Sequence, residues 1–340
     1  MSKPPSRLKR RPKRRHRWAP ALLIVAILAG VLYAGARALF QEPEQKREDP
    51  PVQTDASAGP GGDQDPAGQS EADLAAQEAL RSHRERKEKF YTILVSGVDD
   101  GNGGSDTNIL VAVDAASGYV YGVSIPRDSK AVVHGENHKI NYAYNSGGMS
   151  LLAETVSDQL GIPVDYTVLV NLRGFEALVD AIKGVDFYVP IDMDYDDPVQ
   201  DLHIHFTKGM HHLYGADALK VVRFREGYAS QDIGRMKTQQ DFLKAVAKQT
   251  LTVSNLDKVD DFVKIFQKHV ETDLSLGNLA WLGAQLIAMG PDKVEFSTLP
   301  NEWKSPYIYL DPEETLTLIN QYLNPYVEDR VPEDLNIPGR

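Results

Sequence analysis

A run of 19 residues near the start of the chain, Trp18 to Ala36, contains no charged side chain. As an α-helix, which rises about 1.5 Å per residue, this run would be about 28 Å long, close to the hydrocarbon thickness of a bilayer. Residues 1–17 hold nine Lys or Arg and no acid. Because basic residues are retained inside, the sequence predicts a cytoplasmic tail over 1–17, a single transmembrane anchor over 18–40 and an extracytoplasmic remainder.

Two other interpretations of this region stay open. Small residues at Ala34–Ala36 would suit a signal peptidase, but the apolar run is longer than a usual signal core, which favours an uncleaved anchor. The basic residues 3–17 could also form a nucleic-acid-binding arm. Their position directly before the apolar run favours the topological explanation.

The amino-acid composition of the chain after residue 17 excludes several kinds of partner and chemistry. After residue 17 the chain holds 28 basic and 48 acidic residues, so nucleic acid is not an expected partner of this part. The chain has no cysteine, which excludes disulfides, thiol catalysis and cysteine-ligated zinc. Any metal ion must therefore be bound by oxygen or imidazole ligands.

The remainder divides by composition. Residues 41–89 are mostly polar and rich in Pro and Gly, which predicts a flexible linker, and a C-terminal tail is expected over 326–340. Between them, over 90–325, β-rich and helical patterns alternate, which predicts one α/β domain with a mixed central β-sheet flanked by helices. The β-rich runs are 91–96, 108–113, 119–124, 166–170, 185–189 and 294–298, and helical periodicity covers 150–160, 172–183, 214–220, 232–251, 256–268, 275–289 and 312–323.

A glycine-rich loop with carboxylates follows the first apolar strand, from Gly97 to Thr107. Asp99 at the end of that strand and Asp106 at the far end of the loop can converge on one hard cation such as Mg²⁺. They are the metal-ligand candidates. A solvated turn, in which Asp and Gly only satisfy backbone geometry, is the alternative.

A second group follows the strand that ends near Ile125. Pro126 stops the strand and leaves Arg127 at the margin of the sheet. Its guanidinium can grip an anionic group with two parallel hydrogen bonds, and Asp128 can orient it or act as a base. An ordinary surface Arg–Asp pair is the alternative.

The segment Val221–Arg225 carries arginines at alternate positions, Arg223 and Arg225. Its β-branched and aromatic residues predict a strand, in which alternate side chains lie on the same face. The two guanidinium groups should therefore lie side by side.

A helix is predicted to begin near Asp232. Asp232, Arg235 and Gln239 recur at spacings of three and four and form one stripe, opposite a face of charged residues. Arg235 and Gln239 should point inward, where an arginine is costly unless it meets an anion. An internal Asp232–Arg235 ion pair is the alternative, and it explains one arginine only.

Together these segments predict phosphoryl-type transfer. Pyrophosphate needs charge neutralised on several oxygens at once, by arginines and a divalent ion. No Walker loop or dinucleotide fingerprint accompanies the arginines, so a nucleotide is not indicated. The candidate catalytic residues are Arg127, Arg223, Arg225, Arg235, Asp128 and Asp232.

Two further groups carry weaker signals. Lys139 and Asn141 open a polar and aromatic segment that ends at Gly148, typical of a sugar or phosphate site and equally of a loop before a helix. Histidines follow at 203, 205, 211 and 212. Their spacing matches no zinc-binding helix motif, so we interpret them as surface residues.

These motifs, in this order, resemble the LytR-CpsA-Psr family of cell-wall glycopolymer transferases. The resemblance covers about Phe90 to Tyr322 and extends to the short basic tail and single anchor. The motifs are GVD with SDT (97–99, 105–107), SIPRD (124–128), KINYAY with GG (139–148), RFRE (223–226) and DIGRMKTQQ (232–240).

The resemblance implies a mixed sheet flanked by helices and a hydrophobic tunnel for a polyprenyl chain. It implies that Arg127, Arg223, Arg225 and Arg235 hold the pyrophosphate with help from Gln239, and that Mg²⁺ lies on Asp99 and Asp106. It also implies transfer of an undecaprenyl-pyrophosphate-linked glycopolymer, such as teichoic acid or capsule, onto peptidoglycan at the cell membrane.

Two positions depart from the family pattern. Gly104 and Thr238 stand where arginine is usual, which leaves two fewer positive charges near the phosphates. Two alternative functions therefore stay open. One is a lipid-pyrophosphate hydrolase, and the other is a non-catalytic lipid-binding scaffold or regulator of cell-wall genes.

Overall fold

The computed structural model describes residues 40–45, 84–98, 104–198, 202–224, 226–228, 231–250, 268–290 and 293–339. The predicted tail (1–17), the predicted anchor apart from Phe40, and most of the predicted helix 256–268 lie outside these residues. Within them, no helix combines the length and the apolar character that a membrane crossing requires.

The described residues form fourteen strands and six α-helices. The strands are β1 (Phe90–Val98), β2 (Ser105–Asp114), β3 (Tyr119–Ile125), β4 (Lys130–Val133), β5 (Glu136–Lys139), β6 (Tyr166–Asn171), β7 (Val185–Val189), β8 (Met193–Asp197), β9 (Leu202–Phe206), β10 (Gly209–Leu213), β11 (Val270–Thr272), β12 (Val294–Thr298), β13 (Asn301–Lys304) and β14 (Tyr307–Leu310). The α-helices are α1 (Asn141–Leu160), α2 (Leu172–Ala181), α3 (Gly215–Arg223), α4 (Gln231–Thr250), α5 (Leu276–Met289) and α6 (Pro312–Leu318), and α6 continues as a π-helical turn, Ile319–Leu323.

Six strands form the central sheet in the order β11-β6-β1-β2-β3-β12. The pairs β1–β6 and β3–β12 are parallel, whereas β1–β2, β2–β3 and β6–β11 are antiparallel. The predicted mixed central sheet is therefore confirmed. Alternate residues of β1 enter opposite cores: Ile93 and Val95 pack on one face, and Leu94 packs on the other.

Helices cover both faces of this sheet. The first face packs against buried residues of α2, α3, α4 and α5, among them Phe242 and Leu282. The second packs against α1 and the π-helical turn, through residues such as Leu152, Val156 and Leu323. Two apolar faces explain why the central strands read as nearly continuous hydrophobic runs.

The predicted strand over 221–225 is wrong, because α3 continues to Arg223 and Phe224 only then becomes extended. The pair Val221–Val222 favours a strand by propensity, but packing decides the outcome. Both valines are buried, and Gly215 starts the helix where an added Cβ would lie 2.3 Å from the Glu176 carbonyl oxygen of α2. Arg223 therefore lies at a helix end, and Arg225 lies outside the described residues.

Short hairpins beside the sheet escaped prediction. The pairs β4–β5, β8–β9 and β13–β14 form two-stranded ribbons, and β7, predicted as a strand, pairs with β10. Their alternating polar and apolar residues are too few to distinguish them from loops.

Two described parts of the predicted linker contact the domain. Gln45 Nε2 donates to the carbonyl oxygens of Lys87 and Phe90 at 2.8 Å each, and Arg86 pairs with Asp165 at 2.7 Å. The C-terminal tail also packs on the domain, because Leu335 and Ile337 lie against its second core, and Asp334 binds Arg84 of the linker at 2.8 Å.

Candidate active site

Arg127 is the centre of the candidate site. It follows the end of β3 and Pro126, as the sequence predicts. Its guanidinium contacts the carboxylate of Asp106, and its Nε lies 3.6 Å from Asp128 Oδ1. The same Asp128 oxygen accepts a contact from Lys139 Nζ at 3.2 Å. Two carboxylates and two cations thus alternate in one partly exposed cluster.

The backbone explains why these residues meet. Asn108 pairs with Ile125 in the β2–β3 register, so Asp106 and Arg127 extend past the same edge of the sheet. The amide of Asn141 donates to the Arg127 carbonyl oxygen at 3.2 Å, and that of Ile140 to the Ser129 carbonyl oxygen at 2.8 Å. These bonds bring Lys139 and the start of α1 to the same edge.

Helix α4 links the segment of Arg223 to this edge. Gln239 Nε2 donates to the Val222 carbonyl oxygen at 3.0 Å, next to Arg223. Its neighbour Gln240 donates to Ser124 Oγ at 3.2 Å, three residues before Arg127. One turn of α4 therefore links the end of α3 to the end of β3. Sequence reasoning selected Gln239 but missed Gln240, which looks like any interior polar residue in the sequence.

Arg235 lies one turn before Gln239 on α4 and is 6% exposed. This confirms that its side chain points inward. A buried guanidinium is stable only where anionic or carbonyl oxygens surround it. Arg235 therefore adds fixed positive charge to the interior beside the candidate site.

Tyr228 fastens the segment after Arg223 to α4. Its hydroxyl hydrogen-bonds Thr238 Oγ1 at 2.7 Å, and its ring packs edge-on against Phe224 at 5.7 Å. The ring fits only because residue 234 is glycine: an added Cβ would lie 2.3 Å from Tyr228 Cγ. Burial raises the pKa of Tyr228, against a smaller lowering by Thr238. Thr238, which stands where the family usually has arginine, thus positions a loop.

Gly104 is the other position that departs from the family pattern, and it is the described residue directly before β2. Its φ of 147° is one that side-chain-bearing residues rarely adopt, and an added Cβ would lie 3.5 Å from Asn145 Oδ1. Asn145 of α1 therefore lies beside this position.

Three predicted site residues cannot be placed. Asp99, Arg225 and the side chain of Asp232 lie outside what the structure describes. Val98, the neighbour of Asp99, pairs with Ser105, the neighbour of Asp106. The carboxylate of Asp106 supplies hard oxygen donors of the kind that Mg²⁺ prefers, and Arg127 contacts one of these two oxygens.

The chain resembles known proteins in sequence. Residues 63–323 match the LytR_cpsA_psr family. The polyisoprenyl-teichoic acid–peptidoglycan teichoic acid transferase TagU of Bacillus cereus (strain ATCC 14579) is 39% identical over 194 residues, 56% of this chain and 62% of that protein. TagV of Bacillus subtilis (strain 168), a transferase of the same description, is 32% identical over 239 residues, 67% of this chain and 60% of that protein. The chain thus spans about three fifths of the length of these curated relatives.

Solved structures show the same fold. The crystal structure of B. subtilis TagV superposes with a TM-score of 0.59 at 29% identity, over 68% of this chain and 95% of that one. The structure of TagT bound to LIIa-WTA superposes with a TM-score of 0.55 at 25% identity, over 70% of this chain and 91% of that one.

Proposed function

This chain belongs to the LytR_cpsA_psr family, and on that basis we propose that it is a phosphotransferase that moves a polyisoprenyl-pyrophosphate-linked glycopolymer onto peptidoglycan. The polymer is of the teichoic acid or capsule type, and the lipid carrier is undecaprenyl pyrophosphate. The proposal is supported by the names of its relatives and by the cluster of charged residues around Arg127 at one edge of the sheet.

The observation that carries the proposal is the position of Arg127. Its side chain lies between the carboxylates of Asp106 and Asp128, at the edge where α4 also draws in the segment of Arg223. A guanidinium held from two sides is preorganised, so it can bind phosphate oxygens without a large ordering cost. Arg235 adds buried positive charge on the same helix as Gln239.

The proposed step exchanges the phosphoanhydride bond of the pyrophosphate for a phosphodiester bond to peptidoglycan. A peptidoglycan hydroxyl oxygen bonds to the phosphorus on the glycan side, and the P–O bond to the lipid-side phosphate breaks. The lipid leaves as polyisoprenyl phosphate, and the hydroxyl proton passes to a carboxylate. The arginines Arg127, Arg223, Arg225 and Arg235 stabilise the charge that develops on the phosphate oxygens.

Asp128 is better suited to orient Arg127 than to accept the hydroxyl proton. Its Oδ1 contacts both Arg127 and Lys139, so this oxygen is already engaged by two cations and is not turned toward an acceptor hydroxyl. We therefore assign Asp128 to positioning Arg127 and leave the role of base to Asp232. Lys139, Asn141 and Gln239 belong to the substrate-binding surface.

The metal in this proposal is Mg²⁺, held by Asp106 and Asp99. When bound, it neutralises charge on the phosphate oxygens. In the described residues Arg127 contacts Oδ1 of Asp106, so Oδ2 is the oxygen of this carboxylate that would bind the ion.

We also propose that residues 18–40 anchor the chain in the cell membrane once, with the N-terminus in the cytoplasm. Lipid substrate and enzyme would then diffuse in the same surface, which raises their effective concentration. A protease added to protoplasts should digest the domain and spare an N-terminal tag. Digestion of the tag together with the domain would contradict this topology.

The test of the activity uses the full chain in detergent with a synthetic undecaprenyl-pyrophosphate-linked glycan, peptidoglycan and Mg²⁺. We expect covalent glycan–peptidoglycan product and one released polyisoprenyl phosphate per transfer. Arg127→Ala should abolish both, whereas Arg173→Ala, at an exposed arginine of α2, should not.

The alternative functions give different results. Lipid phosphate released equally with and without peptidoglycan would indicate a hydrolase. A scaffold is indicated if Arg235→Ala leaves polymer attachment untouched in cells where deletion of the protein abolishes it.

A further inference from the structure

The β8–β9 hairpin carries two aspartates and two histidines in cross-strand pairs. Asp194 lies opposite His205, and Asp196 lies opposite His203. Because alternate residues of a strand face the same side, all four side chains share one face of the ribbon, and all four are exposed. The other face is buried in the core.

Donor atoms of three of these residues converge. His203 Nδ1 contacts Asp196 Oδ1, and His205 Nε2 lies 3.3 Å from the same oxygen. The ligand atoms of Asp196, His203 and His205 all lie within 4.8 Å of one another. This spacing is small enough for one ion to reach all three.

Asp194 fixes the orientation of His205. The Nδ1 of His205 lies 2.7 Å from Asp194 Oδ1, so Nδ1–H donates to this carboxylate. In the neutral ring the lone pair is then on Nε2, facing the anionic Asp196. Two electron-rich atoms at this distance repel unless a cation lies with them, either a proton on Nε2 or a metal ion.

We propose that Asp196, His203 and His205 bind a divalent transition-metal ion of the Zn²⁺ class, with Asp194 orienting His205. Imidazole and carboxylate donors suit such ions, and three protein ligands leave a position for water. A carboxylate behind a ligating histidine is the usual support of such sites.

This site differs in chemistry from the proposed Mg²⁺ site at Asp99 and Asp106. Mg²⁺ prefers oxygen ligands alone, whereas two of the three ligands here are imidazoles. The bound ion would join β8 to β9 on a hairpin that packs against α3, the helix that ends at Arg223. The ion would therefore hold the hairpin rigid next to the helix that ends at Arg223.

Exposed Asp–His ion pairs without a metal are the competing explanation. Such pairs contribute little to stability and bind no ion. The chain offers a matched control on the neighbouring ribbon, where His212 Nδ1 lies 2.7 Å from Asp186 Oδ1 as an exposed pair across β7–β10.

The experiment titrates the metal-free full chain in detergent with ZnCl₂ and measures binding by calorimetry and by competition with a chromogenic chelator. We expect saturable binding of one Zn²⁺ per chain. His203→Gln and His205→Gln should each weaken it at least tenfold, as should Asp194→Asn. His212→Gln should leave the affinity unchanged.

Two further readouts separate the site from ion pairs and from the Mg²⁺ site. A thousandfold excess of Mg²⁺ should not displace Zn²⁺, and affinity should fall below about pH 6 as protons compete for the imidazoles. Circular dichroism of the metal-free variants verifies their fold. The proposal is overturned if no saturable binding occurs below millimolar Zn²⁺, if His203→Gln and His205→Gln bind Zn²⁺ as the unchanged chain does, or if Mg²⁺ displaces it.

Discussion

Arg127 is the residue on which the candidate site depends most, because it contacts both carboxylates. Arg127→Lys keeps the charge but removes the planar fork that holds phosphate oxygens with two hydrogen bonds. We expect the rate of covalent product formation to fall about 100-fold, the typical cost of losing one preorganised donor to a developing anion. Initial rates with the lipid-linked glycan measure this.

The control for this substitution is Arg173→Lys on the surface of α2, which should keep the full rate. A rate for Arg127→Lys within twofold of the unchanged chain would remove Arg127 from the binding machinery.

Asp334 is a second residue whose contribution depends on its charge. Burial alone would raise the pKa of Asp334, but Arg84, the Val331 amide and Arg330 outweigh it and lower that pKa below its ordinary value. A group with a lowered folded-state pKa stabilises the fold above its unfolded pKa, about 3.9, and this stability is lost as the pH falls through the folded value.

Asp334→Asn should therefore lower the free energy of unfolding by about 3 kcal/mol at pH 7, since it leaves Arg84 and Arg330 without their carboxylate. Below about pH 4 the difference between the two proteins should shrink. Urea unfolding at several pH values measures it, and a difference independent of pH would rule out this charge effect.

At the level of helices, α4 and the segment after α3 form one interlocked unit through Gly234. Alanine is favoured over glycine inside helices by about 1 kcal/mol, so Gly234→Ala should stabilise an isolated α4. In the protein, the added Cβ would lie 2.3 Å from Tyr228 Cγ. The ring must move, so we expect net destabilisation of about 1–3 kcal/mol and a loss of activity.

The matched experiment makes Gly234→Ala in a Tyr228→Ala background. With the ring gone, the same substitution should be neutral or stabilising, and thermal unfolding of the four proteins gives the coupling. If the effects of Gly234→Ala and Tyr228→Ala on stability simply add, the Tyr228 ring is not the reason why residue 234 must be glycine.

The local sequence pattern was sufficient to predict most strands of the central sheet. The strands at 91–96, 108–113 and 119–124 were predictable because both faces are buried, and Arg127 was predictable because proline ends the strand before it. The helical conformation of Val221–Val222 was not predictable, because it follows from packing against residues that are distant in the sequence. The pairing of Asp196 with His203 depends on a hairpin register that no local periodicity encodes.

At the scale of the whole molecule, the residues after the predicted anchor are fastened to one end of the central sheet. The Tyr91 hydroxyl donates to Glu42 Oε1 at 2.9 Å, and the Tyr166 hydroxyl donates to the Glu44 carbonyl oxygen at 2.8 Å. Asn278 Nδ2 donates to the Gln41 carbonyl oxygen at 3.1 Å. The segment Gln41–Gln45 therefore binds where β1 and β6 begin.

Loss of these bonds should loosen this segment. Tyr91→Phe with Tyr166→Phe removes two hydrogen bonds of about 1 kcal/mol each, so we expect the Tm of the full chain to fall by several degrees. Tyr307→Phe, which loses an exposed bond to the Asn137 carbonyl oxygen, is the control. An equal fall in both proteins would mean that the segment adds no particular stability.

The position of this segment also predicts how the domain faces the membrane. The candidate site lies past the opposite end of β1, about 23 Å away over the seven residue-to-residue steps from Tyr91 to Val98. If residues 18–40 span the bilayer, the end of the sheet near Tyr91 lies at the membrane. The site then faces the wall, where a peptidoglycan acceptor is found.

Because the chain has no cysteine, a single introduced one can report this orientation. Ser117, in the turn between β2 and β3, and Ser146, on α1 next to Asn145, are exposed serines at opposite ends of the domain. In proteoliposomes, lipid-borne nitroxide should quench a fluorophore on Ser117→Cys more than one on Ser146→Cys. The difference should shrink when Tyr91→Phe and Tyr166→Phe release the segment. Stronger quenching at Ser146→Cys would mean that the candidate site faces the membrane. The glycan, and not the lipid, would then have to span the distance between the membrane and the wall.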